Sequence, residues 1–190
     1  MTDAPTEQWS TDLATSADLD KFFSSADPWG YQNHPDDRRR VQHILSALSN
    51  LSFSRVLDIG CGGGHLTLKL PPGDIIGTDI SPAAIEWATQ KARTMGRNDV
   101  SFKVCNVFDL ADFEPSSFDL IIVTGVLYRQ YIGHAFIEAS EQIMRLLKPG
   151  GHLIQAHIEA WFSHAFPMAR VSKTTYPYRD YIHLLEVYRR

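Results

Sequence analysis

The residues with the most chemical potential lie between Asp58 and Asp79. The run Val56-Leu57-Asp58-Ile59-Gly60-Cys61-Gly62-Gly63-Gly64 starts apolar and ends in a cluster of glycines. Glycine accepts positive φ and lets a ligand come against the backbone. A helix opening after such a loop points free amides at an anionic group. Nineteen positions beyond Gly60, Asp79 closes the next apolar run. A carboxylate there can accept hydrogen bonds from both hydroxyls of a ribose. Glycines present only for tight packing are the competing reading, and the acid ending the next run argues against it. Spacing separates two ligand types. A pyrophosphate site follows Gly-x-Gly-x-x-Gly; here the glycines are Gly60, Gly62, Gly63 and Gly64, with Asp58 two positions ahead. An acid in that place suits a cationic ammonium better than a pyrophosphate.

Alternating elements must position these groups. Arg55 to Ile59, Ile75 to Ile80, Val100 to Cys105, Phe118 to Thr124 and His152 to Ile158 read as strands. Tyr181 to Tyr188 reads as a last strand, paired in a hairpin with residues near Val171 to Thr175. Helices are expected after Pro35, where Val41, Ile44, Leu45 and Leu48 recur at helical spacing, and from His65 to Leu70. Another starts at the Ser81 cap with Pro82 first and runs to Met95, stopped by Gly96. A last helix spans about His134 to Leu147, ended by Lys148-Pro149-Gly150-Gly151. Strands alternating with helices predict an α/β fold, a parallel sheet with helices on both faces. Ligands of such sheets sit at the carboxyl ends of the strands, where Gly60 and Asp79 fall.

The 190 residues fit one domain over 1–190, with 1–35 a polar N-terminal arm able to act as a lid and 36–190 the core. Apolar residues at 44% and charged residues at 21% give the balance of a soluble globular chain. A net charge of -4 without a long basic run speaks against nucleic acid. Arg38, Arg39 and Arg40 diverge around a helix and read as a solvated face. No apolar run spans a bilayer, and Asp3, Glu7 and Asp12 stand where a signal peptide would be basic and apolar. The expectation is a cytoplasmic protein with no membrane partner. Cys61 and Cys105 lack metal-ligand spacing, so reduced thiols and no metal are expected.

Val56 to Gly64 resembles the first motif of the class I S-adenosylmethionine (SAM) dependent methyltransferases, and the resemblance continues from about residue 38 to the end. Further motifs follow in order: Val104-Cys105-Asn106-Val107-Phe108, then Phe118 to Tyr128, then Leu146-Leu147-Lys148-Pro149-Gly150-Gly151. The resemblance implies a Rossmann-like, mostly parallel seven-stranded sheet with an antiparallel C-terminal strand. It implies SAM as cofactor and S-adenosylhomocysteine as product. By that resemblance Gly60, Gly62 and Gly64 form the floor under SAM and Asp58 meets its amino group. Asp79 holds the ribose, Ile80 packs on the adenine, and Asn106 and the Val107 amide meet the adenine edge. Family members usually carry an Asp where Asn106 stands, and an Asn side-chain oxygen can still accept. Asp27-Pro28-Trp29 and Val126-Leu127-Tyr128 are similar to the NodS group, which N-methylates an amino sugar. Many of that group have an acid where this chain has Gly125.

These similarities imply transfer to nitrogen or oxygen of a small-molecule or saccharide acceptor. A hydroxyl acceptor needs a base, and histidine is the usual choice. The candidates after strands four and five are His157, Tyr128 and His134, with Arg129 and Tyr131 beside them. An amine needs no strong base, which ranks N-methylation slightly ahead. Trp29 and Tyr31 can close over SAM, and Arg38 can pair with its carboxylate. Two other classes stay open: a nicotinamide-dependent oxidoreductase, which the glycine order disfavours, and a non-catalytic SAM-binding module.

Overall fold

The computed structural model describes residues 14–190. The first part of the expected arm therefore lies outside the described residues. Seven strands form one sheet: β1 (Arg55–Ile59), β2 (Asp74–Asp79), β3 (Val100–Val104), β4 (Phe118–Thr124), β5 (Leu147–Ile158), β6 (Ala169–Tyr178) and β7 (Tyr181–Arg189). Their order is β3-β2-β1-β4-β5-β7-β6. The first five are parallel neighbours, and β7 runs antiparallel between β5 and β6. Chain direction reverses its walk across the sheet between β1 and β4, which opens a crevice at their carboxyl ends. Because β7 is antiparallel, the β6–β7 turn lies at that same end.

Helices α1 (Ser16–Phe22), α2 (Pro35–Leu48), α3 (Pro82–Thr94), α4 (Arg129–Ile132) and α5 (Phe136–Leu146) complete the fold. Alternate residues of each strand feed two separate cores. Leu57, Ile121 and Val123 pack with Ala139, Ile143 and Leu146 of α5 on one face. Val56, Leu120 and Ile122 pack with Val41, Ile44 and Leu48 of α2 on the other. Sheets buried on both faces read as continuous apolar runs, which is why β4 was legible. Asp119 accepts from the Ser54 and Arg55 amides and from Lys148, joining β1, β4 and β5 at the end opposite the crevice.

Three expected elements change. His65 to Leu70 forms turns and a single 3-10 turn at Thr67–Lys69, because Pro71 and Pro72 leave no room for a second helical turn. The expected His134–Leu147 helix starts at Phe136, after Gly133 at φ +59 ends the separate α4. Strand β5 begins at Leu147 and carries Lys148 to Gly151 through an irregularity opposite β4, so that turn lies inside the strand. Among the described residues no helix is long and apolar enough to cross a membrane.

Candidate functional site

The crevice is a cavity of about 260 Å³ at the carboxyl ends of β1, β2 and β4, closed on its open side by residues 14–31 and by the β6–β7 turn. Its floor is the turn after β1. The amides of Gly60 and Cys61 both donate to the Thr78 carbonyl, at 2.7 and 2.9 Å, which folds the loop back over β2. Gly60 sits at φ +73, and a Cβ there would lie 1.9 Å from Val126 Cγ2. Gly62 lies under the Phe23 ring, where a Cβ would sit 3.3 Å from the ring edge. Gly64 does not line the cavity. Its φ is +75, and its missing Cβ makes room for Phe102 and Ala88, so it lets α3 and β3 pack closely behind the loop.

Two carboxylates line this floor. Asp58 is 1% exposed. Its Oδ2 accepts from the Thr67 hydroxyl at 2.6 Å, while its Oδ1 is buried without a partner. Burial pushes its pKa up to about 7, against the Thr67 bond and the Arg40 charge. Asp79 accepts the Gly62 amide at 2.8 Å on Oδ2 and the Ser81 amide at 3.0 Å on Oδ1. Burial pushes Asp79 upward as well, and those amides pull against it. Ile80, Asn106 and Val107 line the wall beside Asp79. Asn106 Oδ1 already accepts the Phe108 amide at 3.0 Å, which leaves one lone pair of that oxygen.

The arm forms the opposite wall. Ser16 donates to the Ile80 carbonyl at 3.0 Å, Asp20 bonds the Ser81 hydroxyl, and Trp87 donates to the Phe23 carbonyl at 3.0 Å. Trp29 packs edge-on to Phe23 at 5.1 Å and stacks on Tyr31 at 5.6 Å, and all three rings line the cavity. Helix α2 presents Arg40, 7% exposed, in place of Arg38. Arg38 is exposed and donates to the Asn33 carbonyl, outside the cavity. The arginine triplet therefore is not a uniform solvated face. Arg40 Nη1 is 3.5 Å from the Thr124 hydroxyl and its Nε is 3.5 Å from Asp37. Helical spacing held this signal: Asp37, Arg40, Val41, Ile44 and Leu48 are the buried face of α2.

Of the three residues expected near the acceptor, only Tyr128 lines the cavity. Its hydroxyl accepts the Ile158 amide at 2.7 Å, and burial raises its pKa. His134 is exposed and pairs with Arg129 at 3.0 Å. His157 is 3% exposed and does not line the cavity. It packs on Phe162 with its Nδ1 at 3.1 Å from Gln155, and burial pushes its pKa down to about 4. The sequence reading missed the parity of β5. Successive side chains face opposite ways, and it is Ile158 that lines the cavity, paired in register with His183 of β7. His183 and Arg179, from the C-terminal hairpin, line the cavity without having been singled out. Both Cys61 and Cys105 are free thiols.

Known proteins can be set beside this geometry. A methyltransferase-domain family model matches residues 51–182. Nodulation protein S of Rhizobium tropici is 31% identical over 141 residues, covering 72% of this chain and 57% of that protein. This chain thus matches less than two thirds of that relative's length. A ubiquinone biosynthesis O-methyltransferase of Xanthomonas euvesicatoria pv. vesicatoria is 30% identical over 183 residues, covering 87% of this chain and 74% of that protein. The crystal structure of N-methyltransferase NodS from Bradyrhizobium japonicum WM9, solved with S-adenosyl-l-homocysteine, superposes with a TM-score of 0.77 at 26% identity. It covers 92% of this chain and 97% of that one.

Proposed function

Because this chain belongs to the class I SAM-dependent methyltransferase family, we propose that it methylates a nitrogen or oxygen of a small-molecule or saccharide acceptor. The observation that carries the reading is the unpartnered, buried Asp58 Oδ1 beside the Gly60 loop, with Asp79 at the next strand end. A buried carboxylate oxygen without a partner is costly, and a cationic amino group would satisfy it. The residues present therefore fit SAM. When bound, SAM supplies a methyl group on a cationic sulfur that needs no further activation.

The chain's own part is to bind, orient and exclude water. Asp58 takes the amino group. Asp79, which accepts two backbone amides, takes the ribose hydroxyls. Ile80 packs on the adenine, and the free lone pair of Asn106 with the Val107 amide meets its edge. Arg40, and not Arg38, takes the carboxylate, since it stands buried at the end of β4. Gly60 and Gly62 form the floor, and Gly64 supports it from behind. Phe23 and Trp29, held by the arm's bonds to Ile80 and Ser81, cover the site. That leaves the side over β5 and the hairpin for the acceptor, with Tyr128 at the junction. Neither His157 nor His134 is assigned a role. The test is incubation with methyl-labelled SAM and a panel of amino sugars, short glycans and phenols. Labelled acceptor formed together with S-adenosylhomocysteine is expected. Cofactor binding with no transfer to any acceptor would leave only a binding module.

A further inference from the structure

Past the groups assigned to SAM, the cavity continues into a chamber walled by Tyr131, Trp161, Tyr178, Tyr181 and His183. Trp161 packs edge-on to Tyr128 at 5.4 Å and to Tyr181 at 5.0 Å. Aromatic walls of this kind hold a flat ring. Among the described residues the only carboxylates lining the cavity are Asp58 and Asp79, and both are assigned to the cofactor. The chamber thus has no acid of its own, and Gly125 stands at the end of β4.

Beside the tyrosine hydroxyls and Gln130, its polar groups are Arg179 and His183. Arg179 Nη2 donates to the Trp29 carbonyl and to Asp37, both at 2.7 Å, while its other terminal nitrogen makes no hydrogen bond among the described residues. His183 stacks on Tyr178 at 4.0 Å, with Nδ1 at 3.3 Å from the Tyr176 hydroxyl, which leaves Nε2 for the chamber. Aromatic faces can also hold an ammonium. Of these walls Tyr178 already carries one of the protein's own cations, Arg179 at 5.6 Å, and Arg40 lies 5.0 Å over Tyr31 next to them. An ammonium entering there meets the Arg179 guanidinium and no free carboxylate.

We propose that the acceptor presents a hydroxyl on a flat ring, its oxygen turned to Arg179 and His183, and not an ammonium group. This rests on the methyltransferase reading and narrows it. In the step, the ring hydroxyl gives up its proton to solvent as it binds beside Arg179, whose charge favours the oxyanion. The acceptor oxygen bonds the methyl carbon as the carbon–sulfur bond breaks, and that bond's electron pair stays on sulfur. Arg179 stabilises the charge developing on oxygen. Burial, with Arg40 next, holds the His183 pKa down to about 3, so its ring stays neutral and serves that oxygen as a hydrogen-bond partner, not as its base.

The test uses the full chain loaded with S-adenosylhomocysteine and two probes of similar size: 4-nitrophenol, at a pH where it is ionised, and benzylamine, which is cationic there. Calorimetry is expected to show 4-nitrophenol binding at least about tenfold more tightly, the scale of one charge-assisted hydrogen bond. Arg179→Gln is expected to remove most of that preference and Arg179→Lys to keep much of it, with melting curves showing both folded. Benzylamine binding equally or more tightly, or neither probe binding, would overturn the proposal. So would a preference that survives in folded Arg179→Gln. If Arg179→Gln does not fold, the wild-type ratio and Arg179→Lys decide. Failure to bind S-adenosylhomocysteine at all is a different result, and sinks the methyltransferase reading itself.

Discussion

With Asp58 as the proposed partner of the cofactor's amino group, cofactor binding is predicted to depend on pH. Burial raises its carboxyl to about 7 in the unliganded protein, and a cationic partner on the empty Oδ1 would bring it back down. The bound form then has the lower pKa. Above about 7 the carboxylate is already ionised and affinity is full. Below it, binding must expel a proton, and affinity falls. With a starting pKa of about 7, roughly one molecule in eleven is ionised at pH 6 and about nine in ten at pH 8. Affinity for S-adenosylhomocysteine should therefore drop about tenfold from pH 8 to pH 6, or about 1.4 kcal/mol. Calorimetry in buffers of different ionisation heat should show close to one proton released at pH 6. The histidines lining the cavity do not mimic this, because burial holds His65 at about 4 and His183 at about 3. Asp79 lines the same floor and is also raised, so Asp58→Asn is the control, expected to bind more weakly and with a flat pH profile. A flat wild-type profile, or a slope that survives in Asp58→Asn, would refute the reasoning. Stability runs the other way. A carboxyl raised in the fold favours folding while protonated, so that contribution is lost as pH rises from about 4 through about 7. Unliganded Asp58→Asn should then be the more stable protein at pH 8, by about 1–3 kcal/mol, as read by denaturant midpoints.

Two further substitutions separate floor from bystanders. Gly60→Ala meets both positive φ and the Val126 side chain, and should cost about 2–4 kcal/mol of stability. Adding Val126→Ala should recover the steric part and leave the φ part, a coupling that a double-mutant cycle in urea would measure. His157→Gln should leave S-adenosylhomocysteine affinity unchanged in a titration, because His157 faces the Phe162 side of the sheet; a large loss would mean that histidine reaches the ligand.

Local sequence carried the glycine floor of the cavity and lost its aromatic far wall. The Gly60 loop and Asp79 were readable because each ends a strand whose apolar run announces it, and their mutual bond through the Gly62 amide spans only 17 residues. Ser81-Pro82 gave the start of α3 through its cap. The chamber depends on residues far apart in sequence. Arg179 meets Asp37 across 142 positions, and His183 reaches the cavity only through its antiparallel register opposite Ile158. Nothing local marks either residue. Where the reading erred locally, a finer periodicity would have served: the 3.6-residue period of α2 selects Arg40 over Arg38, while the two-residue period of β5 sets His157 and Ile158 on opposite faces.

The central claim is that the glycine floor and Asp79 hold SAM. Titrating S-adenosylhomocysteine into the purified chain by calorimetry, beside Asp79→Ala, tests it most directly. One-site binding is predicted, weakened at least about 30-fold in Asp79→Ala by loss of the bonds to both ribose hydroxyls. No binding by a folded wild-type chain, or saturable binding of a nicotinamide cofactor in preference, would contradict the account.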